Sequence, residues 1–437
     1  MSFSHRARTL LAGLLLLSVH PTLRAQTLNL GEPNLQAGCD WVLAYDPAVP
    51  QYGNNAYPET RARYWFAAVS DTAPAGSRLR IEGQYPDARY SAFHVHDGNA
   101  YTLDALADYE IAPDLGSVIR LLSRTGIDLH QPYGGHYTAY VRINTAAPAV
   151  REPNTLYRKP PGVLDGKARK RTLIAYRTYL ALGGNEGDVP LPKLTLETPN
   201  GDIPLPNPAD AAACKTLESD FRKSSAGNLP LGIGIVIPPL VPVREPVFRK
   251  YDGSGMDTLG IGVGYNPHNG FMATKGDSSY GDALLVRVRL PTYTTQAQHG
   301  AAPLLRYWSL CENGANNTKV YGCLSDQDLA PDASGYATIV ISADTAKPAY
   351  LTAARGFSWL NWGPDQTSAI LIRELLAQPD WLQSIANAPT QQPETARGSY
   401  MPLATYCART TLQQLAPQGA AAAFAACQAN PLKRSGL

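Results

Sequence analysis

The chain has 437 residues, 44% of them hydrophobic, enough to build globular cores, with 38 basic against 36 acidic side chains. A formal net charge of +2 excludes the basic surplus that binding to nucleic acid or an anionic membrane demands. At this length a single core is not expected, so two domains or a duplicated fold is the starting point.

Residues 1–25 read as a signal peptide: Arg6 and Arg8 form a basic head, Leu10 to Val19 an apolar core, and Leu23-Arg24-Ala25 a cleavage site. The apolar core is too short to span a bilayer as a helix. Losing its three arginines turns 38 basic against 36 acidic residues into 35 against 36. The expectation is a periplasmic or secreted protein with no transmembrane segment and no nucleic-acid partner.

Residues 26–165 read as a first β-unit. In "SRLRIEGQY", Leu79 and Ile81 share one face while Arg78, Arg80 and Glu82 share the other, the period of a half-buried strand. "YTAYVRIN" is a β-branched run, and "DTAPAG", "YPDA" and "HDGN" carry turn chemistry. The basic run at 158–171 reads as a solvated linker. Residues 166–245 form a mixed connector. "RTLIAYRTYLAL" is a strand, "PKLTLETPNGDIPLP" a hairpin turning on Asn200-Gly201, and "NPADAAACKTLESDF" a helix with Cys214, Leu217 and Phe221 on one stripe. The proline-rich "LPLGIGIVIPPLVPV" reads as an extended connector.

Residues 246–350 read as a second β-unit, with "ALLVRVRL" and "YATIVIS" as strands. Arg89-Tyr90 aligns with Arg306-Tyr307, and "LADYEIAPD" with "LSDQDLAPD"; Arg to first Asp is 19 residues in one copy and 20 in the other. The internal repeat predicts matching strand orders over 62–145 and 266–345. The fold class is therefore mainly β: two repeated sandwich or jelly-roll-like units, the mixed connector, and a short helical C-terminal region over 351–437. There, "TSAILIRELLAQPDWLQSIANA" reads as two short helices split before Pro379, and the chain closes on an Ala-rich helix.

Six cysteines in an exported chain read as a disulfide framework. Proximity pairs Cys311 with Cys323 and Cys407 with Cys427, leaving Cys39 with Cys214. No C-x-x-C spacing suggests zinc.

Four histidines form the first candidate site. His94 and His96 in "SAFHVHDG" lie two apart and can share one strand face, and His130 or His136 could supply a third metal ligand. The alignment sets Cys311 opposite His94 and Asn313 opposite His96, so the second copy keeps no ligand set. Structural histidines are therefore the preferred reading and a divalent metal the alternative, with no cofactor otherwise expected. Repeated acids form the second: Asp108, Glu110 and Asp114 match Asp326, Asp328 and Asp332. Calcium suits carboxylates, but a set that occurs twice belongs more naturally to turns and to pairing with Arg89 and Arg306. Nucleophile-elbow, H-E-x-x-H and Walker patterns are absent. Twenty-four tyrosines against 8 phenylalanines suit half-buried strand faces, including one able to hold a glycan.

"YPDARYSAF" with "LADYEIAPDLGS", and later "WLNWGPDQTSAILIRELL" with "PDWLQSI", resemble a family of uncharacterised exported bacterial β-proteins. The resemblance implies export and β-architecture, and attaches no reaction or ligand. Two functional classes follow: non-catalytic binding of an unidentified small-molecule, glycan, surface or protein ligand, or a metal-dependent enzyme centred on His94 and His96.

Overall fold

A computed structural model describes residues 38–48, 54, 56–97, 102–118, 122–128, 132–158, 171–182, 186–206, 214, 245–251, 264–293, 302–430 and 432. The expected signal peptide, the helix around Cys214, the proline-rich connector, His130 and residues 159–170 lie outside them. Among the described residues no helix is long and apolar enough to cross a membrane.

The protein is mainly β. Its first half contains β1 (Gly38–Tyr45), β2 (Ala62–Ser70), β3 (Arg78–Gln84), β4 (Ala88–His96), β5 (Thr102–Ala107), β6 (His136–Arg142), β7 (Thr155–Tyr157), β8 (Arg171–Ala181), β9 (Lys193–Thr198) and β10 (Gly201–Pro204). They form two sheets, ordered β1-β2-β8-β4-β5 and β10-β9-β3-β6-β7. The second half contains β11 (Arg249–Tyr251), β12 (Asn269–Asp277), β13 (Ala283–Arg289), β14 (Tyr307–Gly314), β15 (Val320–Ser325), β16 (Tyr336–Ser342), β17 (Phe357–Asn361), β18 (Thr367–Leu375) and β19 (Leu403–Cys407). Its sheets run β11-β12-β18-β14-β15 and β19-β13-β16-β17. Strand for strand the two orders correspond, and the same pairs, β6 with β7 and β16 with β17, are parallel. Among the described residues, only β10 lacks a partner in the second half.

Each half closes over its own core. In the first, Trp65, Phe93, Val95, Ile174 and Tyr176 from one sheet meet Leu79, Ile81, Tyr137, Val141 and Leu196 from the other. Removing such a side chain, as in Phe93→Ala, costs about 3–5 kcal/mol because transfer and cavity terms add. The outer faces differ. β3 alternates, exposing its arginines to Glu197 and Asp202. Three C-terminal helices follow in the second half, α1 (Pro393–Arg397), α2 (Arg409–Leu415) and α3 (Ala420–Ala429), and β13, the counterpart of β3, is buried over most of its length because α2 and α3 pack on it. Leu412, Ala423 and Phe424 of α2 and α3 pack on Leu285 and Val340.

Three expectations are corrected. Residues 367–375, read as helix, form β18, the central strand between β12 and β14. Ile370 and Ile372 face the sandwich core while Ala369 and Leu371 pack beneath Tyr57, so the strand is apolar on both sides. Burial on both faces erases the period-two signal. The hairpin turns on Pro199-Asn200, with Gly201 already paired to Thr198. The basic run is not solvated at its described end: Arg158 is buried and bonded to Asp71 at 2.9 Å.

The halves are locked by an exchange of charges. Arg89 reaches Asp326 in the second half at 2.5 Å, and Arg306 reaches Asp108 in the first at 2.9 Å, all four side chains being buried. Each aspartate also caps the neighbouring strand, Asp108 accepting from Ser91 N and Asp326 from Trp308 N. Tyr90, Tyr179, Tyr307 and Leu375 fill the space between, with Tyr179 edge-on to both other rings.

The chain carries three disulfides, Cys39–Cys214, Cys311–Cys323 and Cys407–Cys427, and no free cysteine. The last ties α3 to β19, holding an Ala-rich helix whose small side chains bury little area of their own. Denatured, unreduced protein should therefore show no titratable thiol. The pair Cys407→Ser with Cys427→Ser should lower stability in urea by about 3 kcal/mol, the loop-entropy value for a closure of this length. Two or more free thiols, or an unchanged midpoint in the double variant, would contradict this arrangement.

Candidate functional site

His94 and His96 lie on β4, on the face turned away from the core and toward the second half, and both are fully buried. What covers them is an arm of the second half, residues 264–268, leading into β12. Asn266 Oδ1 accepts from His94 Nε2 at 3.1 Å and from the His268 backbone at 3.0 Å. Asn266 Nδ2 donates to the Tyr90 hydroxyl, which in turn donates to His268 Nδ1 at 2.8 Å. Thr102 Oγ1 donates to the Tyr265 carbonyl at 2.6 Å and so accepts from His96 Nδ1 at 3.1 Å. These partners assign the His94 proton to Nε2 and the His96 proton to Nδ1. The two rings stack with centroids 6.2 Å apart, and the His268 ring stands 5.6 Å from that of His94.

The arrangement has a counterpart on the other side of the interface. The first half sends its own arm, residues 54 and 56–61, across β14 and β15, where Asn54 exchanges two hydrogen bonds with the Val320 backbone. Glu59 there takes the place of Asn266. Its carboxylate accepts from Ser309 Oγ at 2.5 Å, pairs with Arg373 at 3.4 Å and lies 3.3 Å from Cys311, which stands where His94 does. Arg61 takes the place of His268 and pairs with Asp328, as His268 lies 3.7 Å from Glu110. Arg373 of β18 holds the Tyr57 carbonyl and Arg177 of β8 holds that of Gly264. Both carbonyl-bearing residues have left-handed backbones, φ 54° at Tyr57 and 70° at Gly264. Glycine adopts that conformation freely, while Tyr57 holds it at a cost of about 1–2 kcal/mol.

The structure brings together only part of the histidine set read from the sequence. His94 and His96 are adjacent, but His136 lies on β6 in the other sheet, exposed, with Gln84 beside it. His268 is the histidine that approaches the pair. It was legible only by aligning "YPETRA" (57–62) with "GYNPHN" (264–269), where no position is identical. Among the described residues, only Glu59, Cys311 and Cys323 bring three His, Cys, Asp or Glu ligand atoms within 4.8 Å of one another. Two of those atoms are the sulfurs of a disulfide, which cannot act as thiolates.

The repeated acids do not converge either. Asp108 and Asp326 face the two arginines, Glu110 and Asp328 cap the short turns that follow β5 and β15, and Asp114 accepts from Thr138. Asp332 binds Arg287, Ser334 and the Tyr336 backbone, which holds its carboxyl down at about 2 despite partial burial. They stabilise turns and the interface.

Burial, reinforced by Arg177, His268 and His96, holds His94 well below the usual imidazole range. Burial likewise lowers His268 to about 3, with Arg124, Arg177 and Arg306 adding to it. Both rings are neutral at pH 7. In the unfolded chain each titrates near 6.5, so as pH falls the unfolded state takes up protons first. The stabilisation is complete above about pH 6.5 and is lost as pH falls toward the folded value. Between pH 6.5 and 5 one such histidine lowers stability by about 2 kcal/mol. The stability of wild type relative to His268→Gln should thus fall by about that amount between pH 7 and pH 5 in urea unfolding. A difference independent of pH would contradict the neutral, buried state of His268.

No family model matches the chain, and no curated protein matches it. Among solved structures it is similar to an uncharacterised protein from Burkholderia cenocepacia, 16% identical with a TM-score of 0.49, over 84% of this chain and 80% of that one. It is also similar to a protein from Vibrio parahaemolyticus, 14% identical with a TM-score of 0.40, over 81% of this chain and 91% of that one. Neither likeness brings an activity, a ligand or a cofactor to this chain.

Proposed function

We propose that this is an exported protein of two duplicated β-sandwich halves that binds a ligand, surface component or partner and carries out no catalysis. One observation carries this reading: the histidine pair, the most chemistry-bearing motif of the sequence, is spent on joining the halves. His94 Nε2 and His96 Nδ1 are engaged by Asn266 and Thr102 beneath a covering arm, so no open face presents them to a substrate. A catalytic metal site keeps an accessible coordination position, and this face has none.

The cleft between the halves is filled by Tyr90, Tyr179 and Tyr307, and the outer sheet of the second half is covered by α2 and α3. Among the described residues that leaves the outer face of β3 and β6, with Arg78, Arg80 and Tyr140, as the open sheet surface for binding. Three disulfides support an oxidising compartment, periplasm or medium.

A metal-dependent enzyme is the second reading, favoured by one atom: His94 Nδ1 is buried without a hydrogen-bond partner. Elemental analysis of protein purified without a histidine tag separates the two. The binding reading predicts zinc, copper, iron and manganese far below one equivalent. Near-stoichiometric metal that disappears in a folded His94→Ala, His96→Ala variant would overturn it.

A further inference from the structure

The second sandwich carries a carboxyl where the first has a valine. With β4 and β14 matched through Tyr90 and Tyr307, Glu312 falls on Val95. Cys311 and Asn313 face the other half, so Glu312 points the opposite way, into the interior occupied by Trp308 and Leu310. It is fully buried, and neither its oxygens nor the buried Ser368 hydroxyl beside them makes a hydrogen bond of good geometry. Burial first, then the charge of Asp365, pushes the Glu312 carboxyl up to about 9, against which the neighbouring Ser368 hydroxyl is only a partial offset.

The surroundings converge on this carboxyl. Gly314 lies two residues further along β14, on the same face, and a side chain there would meet Asp365 Oδ2 at 2.6 Å. Asp365 therefore lies over β14 next to Glu312. Ser368 is the cross-strand neighbour of both Gly314 and Gly276. A Cβ at Gly276 would meet Trp362 at 2.7 Å and Ser368 Oγ at 3.0 Å. The row Gly276, Ser368, Gly314 thus keeps the end of the sheet free of bulk, and the loop from β17 to β18 settles onto it. Asp365 is fixed there through Oδ2, which accepts from Tyr321 at 2.6 Å and Asn317 at 2.9 Å, while Trp362 Nε1 donates to its carbonyl at 2.9 Å.

We infer that Glu312, Asp365 and Ser368 form an interior oxygen-donor site for a divalent cation of the calcium class. Two carboxylates neutralise a doubly charged ion, and carboxylate and hydroxyl oxygens suit a hard cation. With no sulfur or imidazole among the donors, zinc and copper are disfavoured. A buried carboxyl that its neighbours satisfy only in part is costly, and an ion completes the set. The first half, with Val95 at the matching position, has no such site.

Calcium titrated calorimetrically into chelator-stripped full-length protein at pH 7 tests this. The expected result is one equivalent bound, a higher melting temperature, and release of about one proton per ion, since Glu312 ionises on binding. Glu312→Gln preserves the shape of the neutral acid and should fold as well as wild type without calcium. It should bind at least about tenfold more weakly, as should Asp365→Asn on the partly exposed loop. Wild-type protein that binds no calcium at millimolar concentration would overturn the inference. So would equal binding by wild type and both variants, which places the ion elsewhere.

Discussion

Two buried ion pairs, crossed between the halves, set the terms for the rest of the molecule. Arg89 with Asp326 and Arg306 with Asp108 each join a residue of one sandwich to a residue of the other. A buried guanidinium or carboxylate without its partner costs several kcal/mol, so neither half is comfortable alone. The two ends are not identical. Arg306 also donates to the carbonyls of Arg89, Ser123 and Arg124, whereas Arg89 faces the rings of Tyr293 and Tyr307 at 5.6 and 5.8 Å. The charges sit behind a tyrosine layer that excludes water, which makes the pairing stringent about geometry. Each arm, 56–61 and 264–268, can then lie across the opposite sheet only in the register that satisfies both pairs.

Within that frame, one strand face has two chemistries. On β14 it holds a disulfide to β15, with Glu59 and Arg373 closing over it. On β4 it holds the neutral His94 beside His96, with Asn266 and the neutral His268 closing over them. A neutral amide opposite a neutral ring, and a carboxylate beside an arginine, are both satisfied solutions to burying a polar arm. The histidines of the first half therefore have a structural explanation that needs no metal, and they give the interface a sensitivity to acid that the disulfide face lacks.

The β-architecture, two of the three disulfide pairings and the Arg-Tyr and Asp-rich anchors were legible in the sequence because each rests on a local signal; Cys39–Cys214, 175 residues apart, followed by elimination. Alternation in β3, Asn-Gly near a hairpin, and cysteine proximity are all short-range. What was not legible depends on what lies on the far side of a strand. β18 looked helical because Ile370 and Leu371 are buried on opposite faces by different partners. Arg89 was expected to pair with acids near it, and nothing in its own neighbourhood indicates that its partner is 237 residues away. His268 and Glu312 went unnoticed for the same reason: each is a single residue in an ordinary local pattern, made significant by a neighbour brought in by topology.

The central claim, that the crossed ion pairs hold the two sandwiches as one unit, is tested most directly by denaturant unfolding of Arg89→Ala combined with Arg306→Ala. Two probes should be followed together, tryptophan fluorescence and far-ultraviolet circular dichroism. Wild type should unfold in one transition common to both probes. The double variant should lose about 6 kcal/mol or more, at about 3–5 kcal/mol for each pair broken, or separate into two transitions as the halves uncouple. A double variant with the wild-type midpoint and a single coincident transition would contradict the account.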